Sequence, residues 1–402
     1  MICVIADDLT GAAELGAVGL RHGLRAEVVM LGPCFARREV NLARHRLVAT
    51  DADTIDLLCF DTDSRACRPT EAARRAAAAA GLATRMKPVL IYKKTDSVLR
   101  GPVAAEIKAI MTEIGKSRAV LVPANPSRGR VIVNGKYYVN GKPIHLTEFA
   151  ADPLHPRKTS DVRQLVEPKR LLPVRVCRAD DALPETGIVV GEAQAPRDLE
   201  AWSRVLDPQT LAAGGADFFS AILSGLSHKR RDKGLTRTRA GAADSRLFVC
   251  GSYSDAARKF IARARQAGTP VFPVLSGDGP CALVEARQLD ALATEAAKSI
   301  AELGRAVLCT GEPLLSGRAG PKRVLTRLIE LAERVLAKAR VTNLYIEGGA
   351  TAAALLGRLG WHELIVETEV APGVVALTPR AAPEHMVTIK PGSYTWPEHV
   401  LD

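Results

Sequence analysis

Short runs of apolar residues, five or six long, alternate along this chain with longer stretches in which apolar positions recur at helical spacing. ICVIA (2–6), AEVVML (26–31), IDLLCF (55–60), VLIYK (89–93) and AVLVP (119–123) are nearly continuous rather than alternating, the pattern of strands buried on both faces of a parallel sheet. Between and after them the spacing predicts helices at about 11–22, 70–80, 102–114 and 197–206. A second series follows: strands at RLFVCGS (246–252), PVFPV, RAVLCTG, NLYIEGG and MVTIKPG, with helices at about 254–267, 288–303, 321–339 and 350–359. Strands alternating with helices define an α/β fold class, here two domains with mainly parallel sheets flanked by helices.

One segment breaks this rhythm. VIVNGKYYVNGKPIH (131–145) contains two Asn-Gly steps, Asn134-Gly135 and Asn140-Gly141, which signal tight hairpin turns. A Pro-rich stretch, TEFAADPLHPRKTSD, follows and reads as an ordered loop. Between the two α/β series lies a basic, weakly hydrophobic stretch from Lys229 to Ser245. The division is therefore placed at residues 1–228, a basic linker at 229–245, and residues 246–402.

Composition narrows the range of functions. The 402 residues are 47% hydrophobic and 25% charged, enough for two sizeable cores. Aromatics make up only 4%, which poorly supplies the base stacking of single-stranded nucleic-acid binders. No helix-turn-helix, finger or RNP-like motif accompanies the basic stretch, so nucleic acid is not an expected partner. The net charge of +11 suits attraction of small anions instead. Asp7 and Asp8 interrupt any signal-like start, and no apolar run approaches the ~20 residues of a membrane span. The expectation is a cytoplasmic protein, with no membrane partner and with room for a homo-oligomer. Eight scattered cysteines without a C-x-x-C pair read as reduced, buried thiols. No ligand spacing of a structural zinc site occurs, and any metal ligands stay unassigned.

In open parallel sheets, ligands bind at the carboxyl ends of the strands. In the first half those positions are charged: Asp7-Asp8-Leu9-Thr10-Gly11, Asp61-Thr62-Asp63-Ser64-Arg65, and Lys93-Lys94-Thr95-Asp96-Ser97 with Arg100-Gly101 beyond. Each cluster alone is also compatible with helix capping. Together they offer cations for an anionic group and carboxylates for hydroxyls or a metal. In the second half the strand ends carry glycines: Gly251-Ser252, Gly311, Gly348-Gly349-Ala350-Thr351 and Gly392-Ser393. Glycine lets backbone N–H groups approach phosphate oxygens, and Gly348-Gly349 leads into a helix N-terminus, which favours anions. Neither a P-loop nor a G-x-G-x-x-G fingerprint is present. One edge suited to a polyhydroxylated anion and another to phosphate point to phosphoryl transfer, a reaction that depends chiefly on positioning and charge neutralisation.

IADDLTGA, KKTDSVLRGPVAAE, PANPSRGRVIVNGKYYVNGKPIHLTEFAADPLHP, GGADFF, GSYSDAARKFI and EGGATAAALL occur in this order. Together they resemble the four-carbon acid sugar kinase family. The resemblance implies an ATP-dependent kinase that phosphorylates the terminal hydroxyl of a small sugar acid (a tetronate, 3-oxo-tetronate or branched relative), with Mg²⁺. It also implies an acid-sugar-binding N-terminal domain, a nucleotide-binding C-terminal domain and an active site in the interdomain cleft. Carried over by position, it implies substrate contacts from Asp8, Arg65, Lys94, Asp96, Ser97 and Arg100. In the mechanism expected of such a site, the carboxylate of the acid binds Arg65, Arg100 or Lys94, Asp8 and Asp96 hold its hydroxyls, and one of these two is the catalytic base, Asp8 preferred. Nucleotide contacts fall to Ser252, Gly348, Gly349, Thr351 and Gly392.

Two departures stand out. Ala350 occupies a position in the glycine turn that often carries a polar or acidic residue. The last motif reads KPGSYTWP, where Pro391 lacks a backbone donor; Tyr394 or Trp396 could stack on adenine or pack, with packing favoured. The rival readings are a non-catalytic sugar-acid and nucleotide binder, and a phosphotransferase of the haloacid-dehalogenase type suggested by Asp61-Thr62-Asp63. The latter chemistry needs Thr or Val where Arg65 stands.

Overall fold

The computed structural model describes residues 1–32, 55–152, 155–167, 173–226, 245–275, 283–311, 320–392 and 394–401. The basic stretch at 229–244, together with Cys34, Cys281 and Ser393, lies outside the described residues. The chain forms two compact units, Met1–Lys233 and Gly234–Asp402.

In the first unit, strand β1 (Ile2–Ala6) runs into helix α1 (Leu9–Arg21), followed by β2 (Ala26–Met30) and β3 (Leu57–Asp61). Helix α2 (Pro69–Arg85), β4 (Leu90–Lys94), α3 (Val103–Glu113) and β5 (Arg118–Val122) continue the alternation. An antiparallel excursion follows, with β6 (Arg130–Val133), β7 (Lys136–Val139) and β8 (Lys142–Pro143). Its two turns place Asn134, Gly135, Asn140 and Gly141 at positive φ, as the Asn-Gly steps predict. The Pro-rich stretch contains a short 3-10 turn at Glu148–Ala151. A one-turn helix α4 (Val162–Val166) and strand β9 (Val174–Cys177) come next. The unit closes with β10 (Gly187–Gly191), α5 (Pro196–Arg204), β11 (Thr210–Gly214) and α6 (Ala216–Gly225).

The main strands of this unit are all parallel, in the order β2-β3-β1-β4-β11-β5-β10-β9. Register places Ala6 beside both Asp61 and Lys94, so the residues following β1, β3 and β4 emerge on one level. Cys3, Ile5, Leu58, Phe60, Leu121 and Val190 pack with the apolar stripes of α2 and α3 into one core, which Ile132 and Tyr137 of the excursion join.

The second unit starts with β12 (Arg246–Cys250), α7 (Asp255–Gln266), β13 (Val271–Pro273), α8 (Ala286–Leu303) and β14 (Arg305–Cys309). Helix α9 (Gly320–Lys338), β15 (Asn343–Glu347) and α10 (Gly349–Leu359) lead to β16 (Glu363–Ala371), β17 (Val374–Pro379) and β18 (Met386–Lys390). The strands β13, β14, β12, β15 and β18 are parallel neighbours, while β17 and β16 continue antiparallel. Trp396 is 5% exposed and packs edge-on to Tyr345 at 5.6 Å and beside Phe260 at 6.1 Å. It belongs to the core, the simpler of its two expected roles. Among the described residues, no helix is long and apolar enough to cross a membrane.

Candidate functional site

The site in the first unit begins with the carboxylate pair. Asp8 has extended backbone and caps α1, its Oδ1 accepting from Gly11 N at 2.8 Å. Asp7, 2% exposed, cannot share that cap. Both are reconciled by one side chain: the Arg65 guanidinium donates through Nε and Nη2 to Asp7 at 2.8 and 2.9 Å, and through Nη1 and Nη2 to Asp8 at 2.7 Å each. Such charge-assisted, bidentate bonds are the strong ones. Burial alone would raise the Asp7 carboxyl, but the Arg65 guanidinium holds it below the ordinary carboxylate range. Burial likewise opposes the Arg65 charge, and Asp7 and Asp8 outweigh it.

A second clamp stands beside the first. Asp96 receives Arg100 Nε at 2.9 Å, Arg100 Nη2 at 2.8 Å and the Arg100 backbone N at 3.0 Å, and Arg65 Nη1 lies 3.8 Å from its Oδ1. Against the effect of burial, Arg100 and Arg65 keep the Asp96 carboxyl well below its usual range. Arg100 Nη1 also reaches Asp152 at 3.2 Å. Lys94, 3% exposed, pairs with Glu14 of α1 at 3.2 Å. Ser97 accepts from Arg130 at its hydroxyl and from Tyr137 at its carbonyl. Of the six candidate substrate residues, Asp8, Arg65, Asp96 and Arg100 form one connected network, Lys94 joins α1 through Glu14, and Ser97 joins the hairpin excursion.

Several participants were not among the candidate ligand residues, although Asp61, Ser64 and Lys93 stood in the strand-end clusters. Lys93 pairs with Glu106 at 2.9 Å, both buried, and Ser64 donates to Glu106 beneath the Asp7–Arg65 clamp. Asp61 is buried with its carboxyl pushed well above the ordinary range, by burial first and by the neighbouring Asp63. Glu14, Arg128 and Arg130 also approach this edge. Glu14 lies in the helix read at about 11–22, outside the strand-end clusters. Arg128 and Arg130 lay in view within PSRGR, a few residues past the end of β5, but this strand end was not among the charged clusters read as candidates.

In the second unit, the glycine-rich strand ends meet through backbone and hydroxyls. Gly251 N bonds Glu347 O at 3.4 Å and Gly348 N bonds Lys390 O at 2.9 Å. Ser254 caps α7, accepting from Ala257 N at 3.1 Å, and donates to Gly392 O at 2.6 Å. The Ser252 hydroxyl reaches the same carbonyl at 3.4 Å. Gly348 sits at φ +97, a conformation that side chains disfavour. Gly251 has no room for a side chain either, because a Cβ there would lie 1.9 Å from Thr351 Oγ1. The candidate residues Ser252, Gly348, Gly349, Thr351 and Gly392 therefore converge on the start of α10. No side chain caps that helix, which leaves first-turn N–H groups for an anion. Behind the turn, Glu347 and Lys390 form a fully buried pair at 2.8 Å. Burial raises the Glu347 carboxyl and lowers the Lys390 ammonium despite their attraction. Among the described residues, no group of three or more His, Cys, Asp and Glu side chains is arranged to hold a metal ion.

An α/β protein with an ionic edge in one unit and a glycine edge in the other fits a protein that handles two small ligands. The chain belongs to the family defined by a sugar-binding N-terminal domain, whose model matches residues 2–222. Residues 247–394 match the model of a nucleotide-binding C-terminal domain. Among curated relatives, a D-threonate kinase of Salmonella typhimurium is 28% identical over 92% of this chain and 89% of its own length. A D-erythronate kinase of Heliobacterium modesticaldum is 28% identical over 92% and 88%, and a 3-oxo-tetronate kinase of Methylobacterium radiotolerans is 25% identical over 97% and 95%. These relatives bear out the resemblance to four-carbon acid sugar kinases read from the motifs. The fold is shared with a Salmonella typhimurium LT2 protein, at a TM-score of 0.75 and 19% identity over 98% of this chain and 96% of that one.

Proposed function

We propose that this protein is an ATP-dependent kinase that phosphorylates the terminal hydroxyl of a four-carbon sugar acid or a close branched relative. The observation that carries this reading is the pairing of two unlike strand edges. Partly buried Arg–carboxylate clamps mark the segment that matches a sugar-binding domain, and a convergent glycine turn marks the segment that matches a nucleotide-binding domain.

In this reading Asp8, Arg65, Lys94, Asp96, Ser97 and Arg100 bind and orient the sugar acid. Asp8 is the group that receives the proton of the attacking hydroxyl. Its Oδ1 already accepts from Gly11 N and Arg65, and its Oδ2 from Arg65 and the Thr10 hydroxyl, the last at 2.6 Å. A carboxylate has about four lone-pair sites, so an incoming hydroxyl must displace one partner. The Thr10 hydroxyl is the rotatable one, and a substrate hydroxyl replaces it like for like. Asp96 is bound by a fixed guanidinium and backbone N–H groups, which suits it to a positioning role.

The start of α10, with Gly348, Gly349 and Thr351, and the hydroxyl of Ser252 beside Gly392 would hold the nucleotide phosphates. The free helix N-terminus is the feature that fits them. Mg²⁺ carried on those phosphates would neutralise charge there, and such a site needs only one or two protein carboxylates.

The test is an ATP-consumption screen with Mg²⁺ over tetronates, 3-oxo-tetronates and branched sugar acids. At least one acid should drive stoichiometric ADP formation with a phosphorylated product. Absence of acid-dependent turnover across the panel would refute the kinase and leave the non-catalytic binder.

A further inference from the structure

The ionic edge of the first unit is electrically divided, and this decides which groups can accept the carboxylate of a sugar acid. On one side, two guanidiniums face four carboxylates: Arg65 serves Asp7 and Asp8, and Arg100 serves Asp96 and Asp152. A further anion brought to either arginine would meet two carboxylates already bonded to it. On the other side, three cations surround one carboxylate, and Lys94 among them also lies in the fields of Asp7 and Asp8. Glu14 takes Lys94 at 3.2 Å and Arg128 at 3.3 Å, and the fields of Lys94, Arg128 and Arg130 hold its carboxyl low against burial. The hydrogen bond of Arg130 goes to the Ser97 hydroxyl, and its guanidinium lies 5.6 Å over the Phe149 ring. Both of these partners are neutral.

We infer that Arg128 and Arg130, carried at the root of the hairpin excursion, form with Lys94 the subsite that binds the substrate carboxylate, while Arg65 and Arg100 are clamps that shape the hydroxyl-binding side. This deepens the reading of the site as a sugar-acid site and rests on it. Position supports the assignment. Arg128 ends the turn Pro126–Arg128 and Arg130 opens β6. Tyr137 of β7 and Arg130 anchor the excursion to Ser97 at its carbonyl and hydroxyl. Lys94 is the one member fixed within the sheet. An acid bound by its carboxylate here extends its hydroxyls toward Asp8 and Asp96, so the excursion sets which end of the molecule faces the acceptor side. Arg128 and Arg130 are thus positioning and specificity-determining residues.

The test is calorimetric binding of D-threonate and D-erythronate, each compared with its neutral carboxamide, to the full chain without nucleotide. The wild type should prefer acid over amide. Arg128→Gln and Arg130→Gln should each weaken acid binding by roughly 10- to 100-fold, the range of one charge-assisted contact, while amide binding stays within about twofold. Arg130→Lys should retain part of the preference, and circular dichroism reports whether each variant is folded. A wild type that binds acid and amide equally, or folded Gln variants that keep the full preference, would overturn the inference. Because no nucleotide is present, acid-selective binding by a protein that never consumes ATP would refute the kinase alone. Normal turnover with the preference intact in both Gln variants would refute this subsite alone.

Discussion

The two sheet edges are built by opposite means. The first unit gathers ionised side chains, several of them buried, and steadies them with guanidinium clamps. The second removes side chains and lets backbone N–H groups, three hydroxyls and a helix start make the surface. Ionic edges are expensive, because each charge must be desolvated and then compensated, and losing one partner strands the rest. A glycine edge costs little in electrostatics but depends on space, so any added atom disturbs it.

The largest effect should come from removing a clamp. Arg65→Met leaves Asp7 and Asp8 facing each other, and the first unit should lose about 3–5 kcal/mol in urea unfolding. Adding Asp7→Asn should restore part of it. Full stability in the single variant would mean the carboxylates do not need the guanidinium.

Next in size, Asp8→Asn should lower kcat by about 10²- to 10³-fold while the KM for ATP stays within threefold. Equal loss in both parameters would remove Asp8 from the proton step.

Gly251→Ala tests the other edge. Its Cβ would collide with Thr351 Oγ1, which should cost about 1–3 kcal/mol and raise the KM for ATP with the affinity for sugar acid unchanged. Thr351→Ala in the same chain should relieve much of the collision.

The smallest and most diagnostic effect is one of pH sign. Asp96 has a depressed native pKa, so its contribution is full above its ordinary value near 3.8 and fades as pH falls through the native value. The stability deficit of Asp96→Asn should therefore shrink in acid. Glu347 has a raised native pKa, so its ionisation costs stability as pH rises above about 4.5. Glu347→Gln should thus compare better with the wild type at pH 7 than at pH 4. Parallel pH trends in the two variants would erase the contrast drawn between the edges.

The apolar runs marked β1, β3, β4, β12 and β15 to within a residue or two because parallel strands buried on both faces leave continuous hydrophobic text. The Asn-Gly steps marked both turns of the excursion. Strands β9, β10 and β11 escaped, since VRVC, GIVVG and TLAAG are short and carry arginine or glycine. The antiparallel pair β16 and β17 escaped as well, because β16 mixes Glu and Thr into ELIVETEVA. Within the site, the residues after each strand were visible as polar clusters, but their partners were not. Arg65 lies 57 positions from Asp8 and Arg128 lies on another element from Glu14.

By itself the sequence determined the alternation of strands and helices and the polar character of their carboxyl ends, because burial and turn chemistry act over a few residues. Only the tertiary structure decided which carboxylate answers to which cation. Asp7 and Asp8 are adjacent in the chain, yet what permits them is a guanidinium delivered by another strand. Coulomb energy depends on distance in space, and register among β1, β3 and β4 sets that distance.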